Sequence, residues 1–404
     1  MSKPEWSEKK VLESWEAFWA TIERTEKLFD PRKHQTKPLR MVFKASLGAP
    51  IVFDVKTLKN VVESLMVNPH IADNFAQKTV EDKVVERTIQ KWTPTACFSE
   101  KAARTLISEL LNAQPEEMIV YMPVYGISIP AGRRLSVGPF TFLARDVFDS
   151  LAFPNGNIRK GQPIVSVSVF ACDPNKASEK AIENYQWLEN AARLFIDFEM
   201  TDFGITSFDY SHVENSIVAQ PNGRLKRASS QLKGAPRLIP IMDLFGTGSF
   251  LRQVVSTFGG SACNLSEYQK RIKHAIYLGG LAVHENVASV SCFLGVSALE
   301  ALFQAETDKY VSPSIAQQIV ESFCFLMVDD EHRRATFEEM RSFYGKRSAI
   351  AHGGSKEITD RDARLVRNYL RHAIGKLLTD PNLSKIHNVK DIAEMIKDRK
   401  FGKK

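Results

Sequence analysis

The chain has 404 residues, of which 44% are apolar and 25% charged, proportions that exclude a disordered or fibrous polypeptide and leave room for two or three domains. Its net charge of +7 permits an acidic partner such as nucleic acid without requiring one. The five cysteines, Cys97, Cys172, Cys263, Cys292 and Cys324, are odd in number and scattered, with no CxxC pair, which argues against a disulfide framework and against a zinc cluster.

Residues 1–36 are polar, with Trp6, Trp15, Phe18 and Trp19 spaced for one helix face. The opening "MSKPEWSEKKVLESW" carries charges where a secretory leader needs an apolar core. The longest apolar runs, "PIVSVSVFA" (163–171) and "ASVSCFLGVSALEALF" (288–303), are too short or too polar to span a bilayer. A soluble, cytoplasmic protein with no membrane partner is expected. Residues 56–114 read as largely helical, with Val55, Leu58, Val61, Val62 and Leu65 on one stripe.

The character changes near 115. "MIVYMPVYGISI", "LSVGPFTFLA" and "PIVSVSVFA" are rich in β-branched and aromatic residues and are separated by "PAGRR" and "PNGNIRKGQP", which predicts a small antiparallel sheet. Helical spacing returns over 175–198 through Ala181, Ile182, Tyr185, Leu188, Ala192, Leu194 and Phe195, and a strand-like patch follows at 203–219. The stretch "AQPNGRLKRASSQLKGAPR" (219–237) has no carboxylate and five basic residues, Arg224, Lys226, Arg227, Lys233 and Arg237. It reads either as an exposed linker or as a basic strip against a phosphate backbone. The fold class expected is therefore an α+β N-terminal region, 1–240, with an internal boundary near 115, followed by an all-α helical domain over 241–404.

That second region opens with Asn264 and Glu267 in capping-box spacing. "VASVSCFLGVSALEALFQ" is a nearly continuous apolar helix, as in a bundle interior, and Cys292 and Cys324 within such runs read as buried thiols. Ser312 and Pro313 mark a cap and first turn, ahead of a face formed by Ile315, Ile319, Phe323 and Leu326. Thr359 with Asp362 opens a helix through Leu365, Tyr369, Ala373 and Leu377 that stops at Pro381. A last helix, "VKDIAEMIKD", precedes a basic tail.

Two places pair an arginine with a histidine five positions on: Arg347 with His352, and Arg367 with His372. A guanidinium and a group titrating near neutrality can cleave RNA without a metal. Histidine moves the protons of the 2′-hydroxyl and the leaving 5′-oxygen, and arginine stabilises charge on the phosphoryl oxygens. The spacing alone is weak, because the chain contains it twice. Five positions also turn about 140° around a helix, so the two groups do not share a face. Glu300, in the apolar helix, needs a partner if buried, and Arg347 is the expected one. "FGTGS" (245–249) lacks the strand–helix context of a dinucleotide loop, and "YGKRS" has Met340 where a phosphate loop needs its first glycine.

What distinguishes "SFYGKRSAIAHGG" (342–354) is its setting, with Tyr344 before, Gly353 and Gly354 after, and "GVSALEALF" upstream. With these flanks the segment resembles the HEPN superfamily, in particular the Apea-like HEPN branch, over roughly residues 264–385. The resemblance places the motif on Tyr344, Arg347, Ser348, His352 and Gly353, with Glu300 as its acidic member. It implies a helical bundle that dimerises to bring two Arg–His motifs into one cleft, and a metal-independent endoribonuclease of toxin or antiphage defence systems. It further implies RNA as substrate, a homodimer through the helical domain, a phage-derived or neutralising protein partner, and no cofactor or metal. Lys346, Arg224, Lys226 and Arg227 are the residues expected to contact nucleic acid. Many nuclease members carry Asn, Asp or His after the arginine, whereas Ser348 can hydrogen-bond but carries no charge. The alternative reading is a non-catalytic HEPN-like module that binds nucleotide or RNA, or only dimerises.

Overall fold

The computed structural model describes residues 5–24, 39–44, 49–93, 95–150, 162–196, 203–205, 213–219, 225–232, 238–260, 265–304, 315–351 and 358–401. The first elements are α1 (Glu8–Trp19), β1 (Glu23–Arg24), β2 (Leu39–Lys44), β3 (Ala49–Asp54), α2 (Val55–Met66), α3 (Pro69–Asn74), α4 (Gln77–Lys91) and α5 (Glu100–Asn112). Then come β4 (Glu116–Pro123), β5 (Ile127–Ser128), β6 (Arg134–Val137), β7 (Phe140–Leu143), α6 (Arg145–Asp149), β8 (Ile164–Ala171), α7 (Pro174–Phe195), β9 (Val213–Ala219), β10 (Leu225–Leu232) and β11 (Ile239–Pro240). The remainder is helical: α8 (Ile241–Phe245), α9 (Phe250–Phe258), α10 (Glu267–His284), α11 (Ala288–Phe303), α12 (Ile315–Met327), α13 (Asp330–Ala351), α14 (Asp360–Thr379) and α15 (Val389–Lys400). Helix dominates, with strands concentrated in the N-terminal half.

The chain forms two compact units. One comprises 1–120 with 168–182, and the other 121–167 with 183–404. The change of character near 115 lies close to the first crossing between units. The expected boundary at 240 falls inside the second unit, because the strands over 121–167 cluster with the helices that follow.

The first unit is organised by its aromatic stripe. Val11, Trp15, Phe18 and Trp19 of α1 pack with Ile51, Phe53, Leu58, Val61, Val62, Leu65, Val84 and Leu106. The three-stranded antiparallel sheet β1-β3-β2 beneath them was not anticipated, since its short strands lie within segments of mixed composition. Asp54 caps α2 by accepting from Lys56 N. Asp173 ties the returning segment to α4. Its carboxylate accepts from Ala76 N at 2.9 Å and from Thr79 Oγ1 at 2.8 Å while capping α7 through Asn175 N and Lys176 N.

In the second unit β6 and β7 form a two-residue hairpin in which Val137 faces Phe140. Gly138 stands at its first turn position with φ of 55°, the left-handed region that favours glycine. Strands β6 and β7 belong to a four-stranded sheet of order β4-β8-β7-β6, with β6-β7 and β7-β8 antiparallel; a small antiparallel sheet was expected from the sequence, and its strand order was not. The stretch 219–237 is not simply a linker. Its residues 225–232 form β10, paired antiparallel with β9.

Small residues let α10 approach α7 and α11 approach α14 closely. A Cβ at Gly280 would overlap the backbone of Asn190 in α7, and one at Gly295 would come 2.7 Å from Val366 Cγ1 in α14. The helix starts are only partly as expected. Thr359 and Asp362 form the capping box of α14. For α10 the box is Ser266 with Gln269 instead of Asn264 with Glu267, and Asn264 lies outside the described residues. The buried stripe of α14 runs through Val366, Leu370, Ala373, Ile374 and Leu377. Leu365 and Tyr369 flank it half-buried, so the stripe is displaced from the expected one at its N-terminal end. Ser312, Pro313 and the side chain of Ile315 lie outside the described residues, while Ile319, Phe323 and Leu326 are buried as the spacing implied.

Candidate functional site

Helix α11 is apolar and buried along most of its circumference. Phe293, Ser297 and Glu300 are half-buried and recur at i, i+4 and i+7, which places them on one face. Helix α13 seats Met340, Phe343 and Tyr344 in the core. Arg347, one turn beyond Tyr344, projects from the same side.

These two faces meet. Arg347 Nη2 donates to Glu300 Oε2 at 3.1 Å, with the arginine side chain 31% and the glutamate 16% exposed. The guanidinium carbon also lies 5.2 Å from the centroid of the Phe293 ring, within cation–π range. Burial pushes the Glu300 carboxyl above its ordinary range, and Arg347 only partly draws it back.

Tyr344 is deeply buried and its hydroxyl finds no partner among the described residues, and neither does Arg347 Nε. Burial raises the phenol well above its ordinary value. Glu300 adds to the rise and Arg347 opposes it. Tyr344 therefore keeps its proton and stands beside the ion pair as a neutral donor.

The neighbouring positions differ in what they leave open. Ser348 is exposed. Lys346, expected to meet nucleic acid, holds Asp362 Oδ1 at 2.6 Å, both side chains being mostly covered. At Asp362 burial alone would raise the carboxyl. The Lys346 ammonium and the two Thr359 donors outweigh it and hold the group below its ordinary range. Cys292, behind this pair, is pushed up to about 11, chiefly by burial, so it is an inert core thiol. Burial likewise pushes Cys324 up to about 11.

His352, Gly353, Gly354 and Arg224 lie outside the described residues, as does Cys263. Lys226 and Arg227 belong to β10, in the hairpin with β9. The second Arg–His pair serves packing. Arg367 Nη1 donates to Ser291 Oγ at 2.7 Å. His372 Nε2 and Lys376 Nζ each lie 2.9 Å from the Met327 carbonyl at the end of α12, the position where a helix C-terminus attracts donors and cations.

The site thus assembles Glu300, Tyr344 and Arg347 as the sequence suggested, diverts Lys346 to Asp362, and adds Phe293. Sequence reading missed Phe293 because a phenylalanine in an apolar helix looks like core. Its spacing of two turns from Glu300 was the available signal. Among the described residues no cluster of His, Cys, Asp and Glu could hold a metal ion, and no helix is long and apolar enough to cross a membrane. No protein-family model matches the chain, and no curated protein or solved structure shows significant similarity to it.

Proposed function

We propose that this protein is a metal-independent endoribonuclease whose helical region is a HEPN-like bundle. The observation that carries the reading is the Arg347–Glu300 pair, which orients a partly exposed guanidinium on the helix whose sequence continues directly to His352. In this reading Arg347 contacts a phosphate of RNA and stabilises the charge that develops on its oxygens. His352 takes the proton of the adjacent 2′-hydroxyl or delivers one to the leaving 5′-oxygen. Attack of the 2′-oxygen on phosphorus displaces the 5′-oxygen and leaves a 2′,3′-cyclic phosphate. Glu300 orients Arg347, Tyr344 supplies a neutral donor, and Ser348 an exposed hydroxyl.

Five residues of ideal helix span about 140°, and on that sequence-based expectation Arg347 and His352 would meet in a cleft shared by two copies of the chain. The protein would act in the cytoplasm as a defence or toxin effector. The strand-containing N-terminal portion would sense a trigger, and a phage-derived or neutralising protein would set its activity.

The test is RNA cleavage in EDTA by the wild-type protein beside Arg347→Ala and His352→Ala variants of matched melting temperature. Cleavage that is lost in both variants, with cyclic phosphate at the product ends, supports the nuclease. No cleavage of any RNA, with nucleotide or RNA binding retained, replaces it with a binding module. Cleavage that requires added Mg²⁺ overturns the metal-independent mechanism.

A further inference from the structure

The ion pair does not by itself fix the aim of Arg347. A guanidinium held at Nη2 alone pivots about that contact, and its remaining nitrogens sweep an arc. A second point of restraint comes from the same helix, because the Phe293 ring lies 5.2 Å from the guanidinium carbon. Phe293 and Glu300 are seven residues apart on α11, so their Cα positions are about 10 Å apart along one rigid rod and their side chains reach Arg347 from two points of it. The rod is immobilised by its buried flanks, Cys292, Val296 and Leu299, and by the close passage of Gly295 past Val366.

We propose that Phe293 is the positioning residue for Arg347. Its ring and the Glu300 carboxylate form a two-point cradle that turns the guanidinium toward the scissile phosphate of RNA. This inference rests on the nuclease reading of the same site. The ring serves the guanidinium through the negative potential of its face, which an aliphatic side chain of similar bulk does not possess. Phe293 is only partly buried, and its contact with the guanidinium is one that an aromatic ring makes and an aliphatic side chain does not.

The cradle and the chemistry can be tested separately with Phe293→Leu, Phe293→Tyr and Phe293→Trp. RNA cleavage in EDTA is measured with kcat and KM resolved, together with melting temperature and the side-chain nitrogen and carbon NMR signals of Arg347. Phe293→Leu should lower kcat about three- to thirtyfold, the range of a partly desolvated cation–π contact. KM should stay within about twofold, as expected when only transition-state stabilisation is lost. The Tyr and Trp variants should retain activity, and the Arg347 signals should shift in the Leu variant alone. An unchanged kcat in Phe293→Leu, an equal loss in the Tyr variant, or a loss that merely follows a lowered melting temperature would overturn the proposal. If the wild-type protein cleaves no RNA, the nuclease reading fails on that arm. Arg347 signals that do not respond to Phe293→Leu show instead that the cradle itself is wrong.

Discussion

Arg347 and Glu300 meet across 47 positions of sequence, with Nη2 3.1 Å from Oε2. The contact joins a carboxylate that burial pushes above its ordinary range to a guanidinium that solvent still reaches. Glu300→Gln keeps the shape and removes the charge. RNA cleavage should fall about tenfold, the equivalent of one charged hydrogen bond lost from the transition state. The sign of the pH effect follows from the raised carboxyl. Its favourable contribution is complete below the unfolded value and is lost as pH rises through the folded one. Stability measured by urea at about pH 4 and about pH 7 should therefore shift in favour of the Gln variant at the higher pH.

Lys346 and Asp362 give the opposite case. The Asp362 carboxyl is held below its ordinary range, so its contribution is present above the unfolded value and lost as pH falls through the folded one. Asp362→Asn, which weakens both the ion pair and the α14 capping box, should cost about 1–2 kcal/mol near neutrality. That cost should shrink below about pH 4. Lys346→Ala should cost about 1 kcal/mol and leave the affinity for RNA nearly unchanged. A large loss of RNA binding without loss of stability would restore Lys346 to the nucleic-acid surface.

The two Arg–His pairs should separate cleanly. His372→Ala removes a donor from the Met327 carbonyl, which Lys376 still reaches. It should lower stability by about 1 kcal/mol and leave cleavage intact after correction for folded protein. His352→Ala should abolish cleavage after the same correction for folded protein. Assays of both variants on one RNA substrate, with melting curves, decide the matter.

Gly280 and Gly375 lie in neighbouring helices and should respond oppositely to alanine. A Cβ at Gly280 would overlap the Asn190 backbone, whereas one at Gly375 would meet nothing within 4 Å. Gly280→Ala should cost about 3 kcal/mol, and Gly375→Ala should gain about 0.5–1 kcal/mol through helix propensity. Thermal denaturation of both variants tests this.

Features set by neighbours in sequence were readable and those set by distant partners were not. The box of Thr359 and Asp362 and the helical core positions Ile319 and Phe323 follow from local spacing. Glu300 could be matched to Arg347 because a covered carboxylate demands a cation. The hairpin of β9 and β10 was hidden because 219–237 is rich in turn formers and charge, and nothing local announces a pairing partner. The bond of Lys346 to Asp362 was hidden for the same reason, since Asp362 reads from local spacing only as a capping residue and its second bond is long-range. The stripe of α14 was misplaced because Leu365 and Val366 are both apolar, and it is Val366 that lies against Gly295 of α11.

Asp173 bears on how the protein is made. Ala76 N and Thr79 Oγ1 obtain their acceptor from a residue far downstream, and Cys172 N reaches Asn74 O beside it. During synthesis the first 120 residues emerge without these bonds and must wait for the returning segment before the start of α4 is closed. A chain cut after residue 120 would be left with those groups unanswered. Translation order and structural order therefore diverge here, and the N-terminal portion matures only after residues 121–167, which belong to the second unit, have left the ribosome.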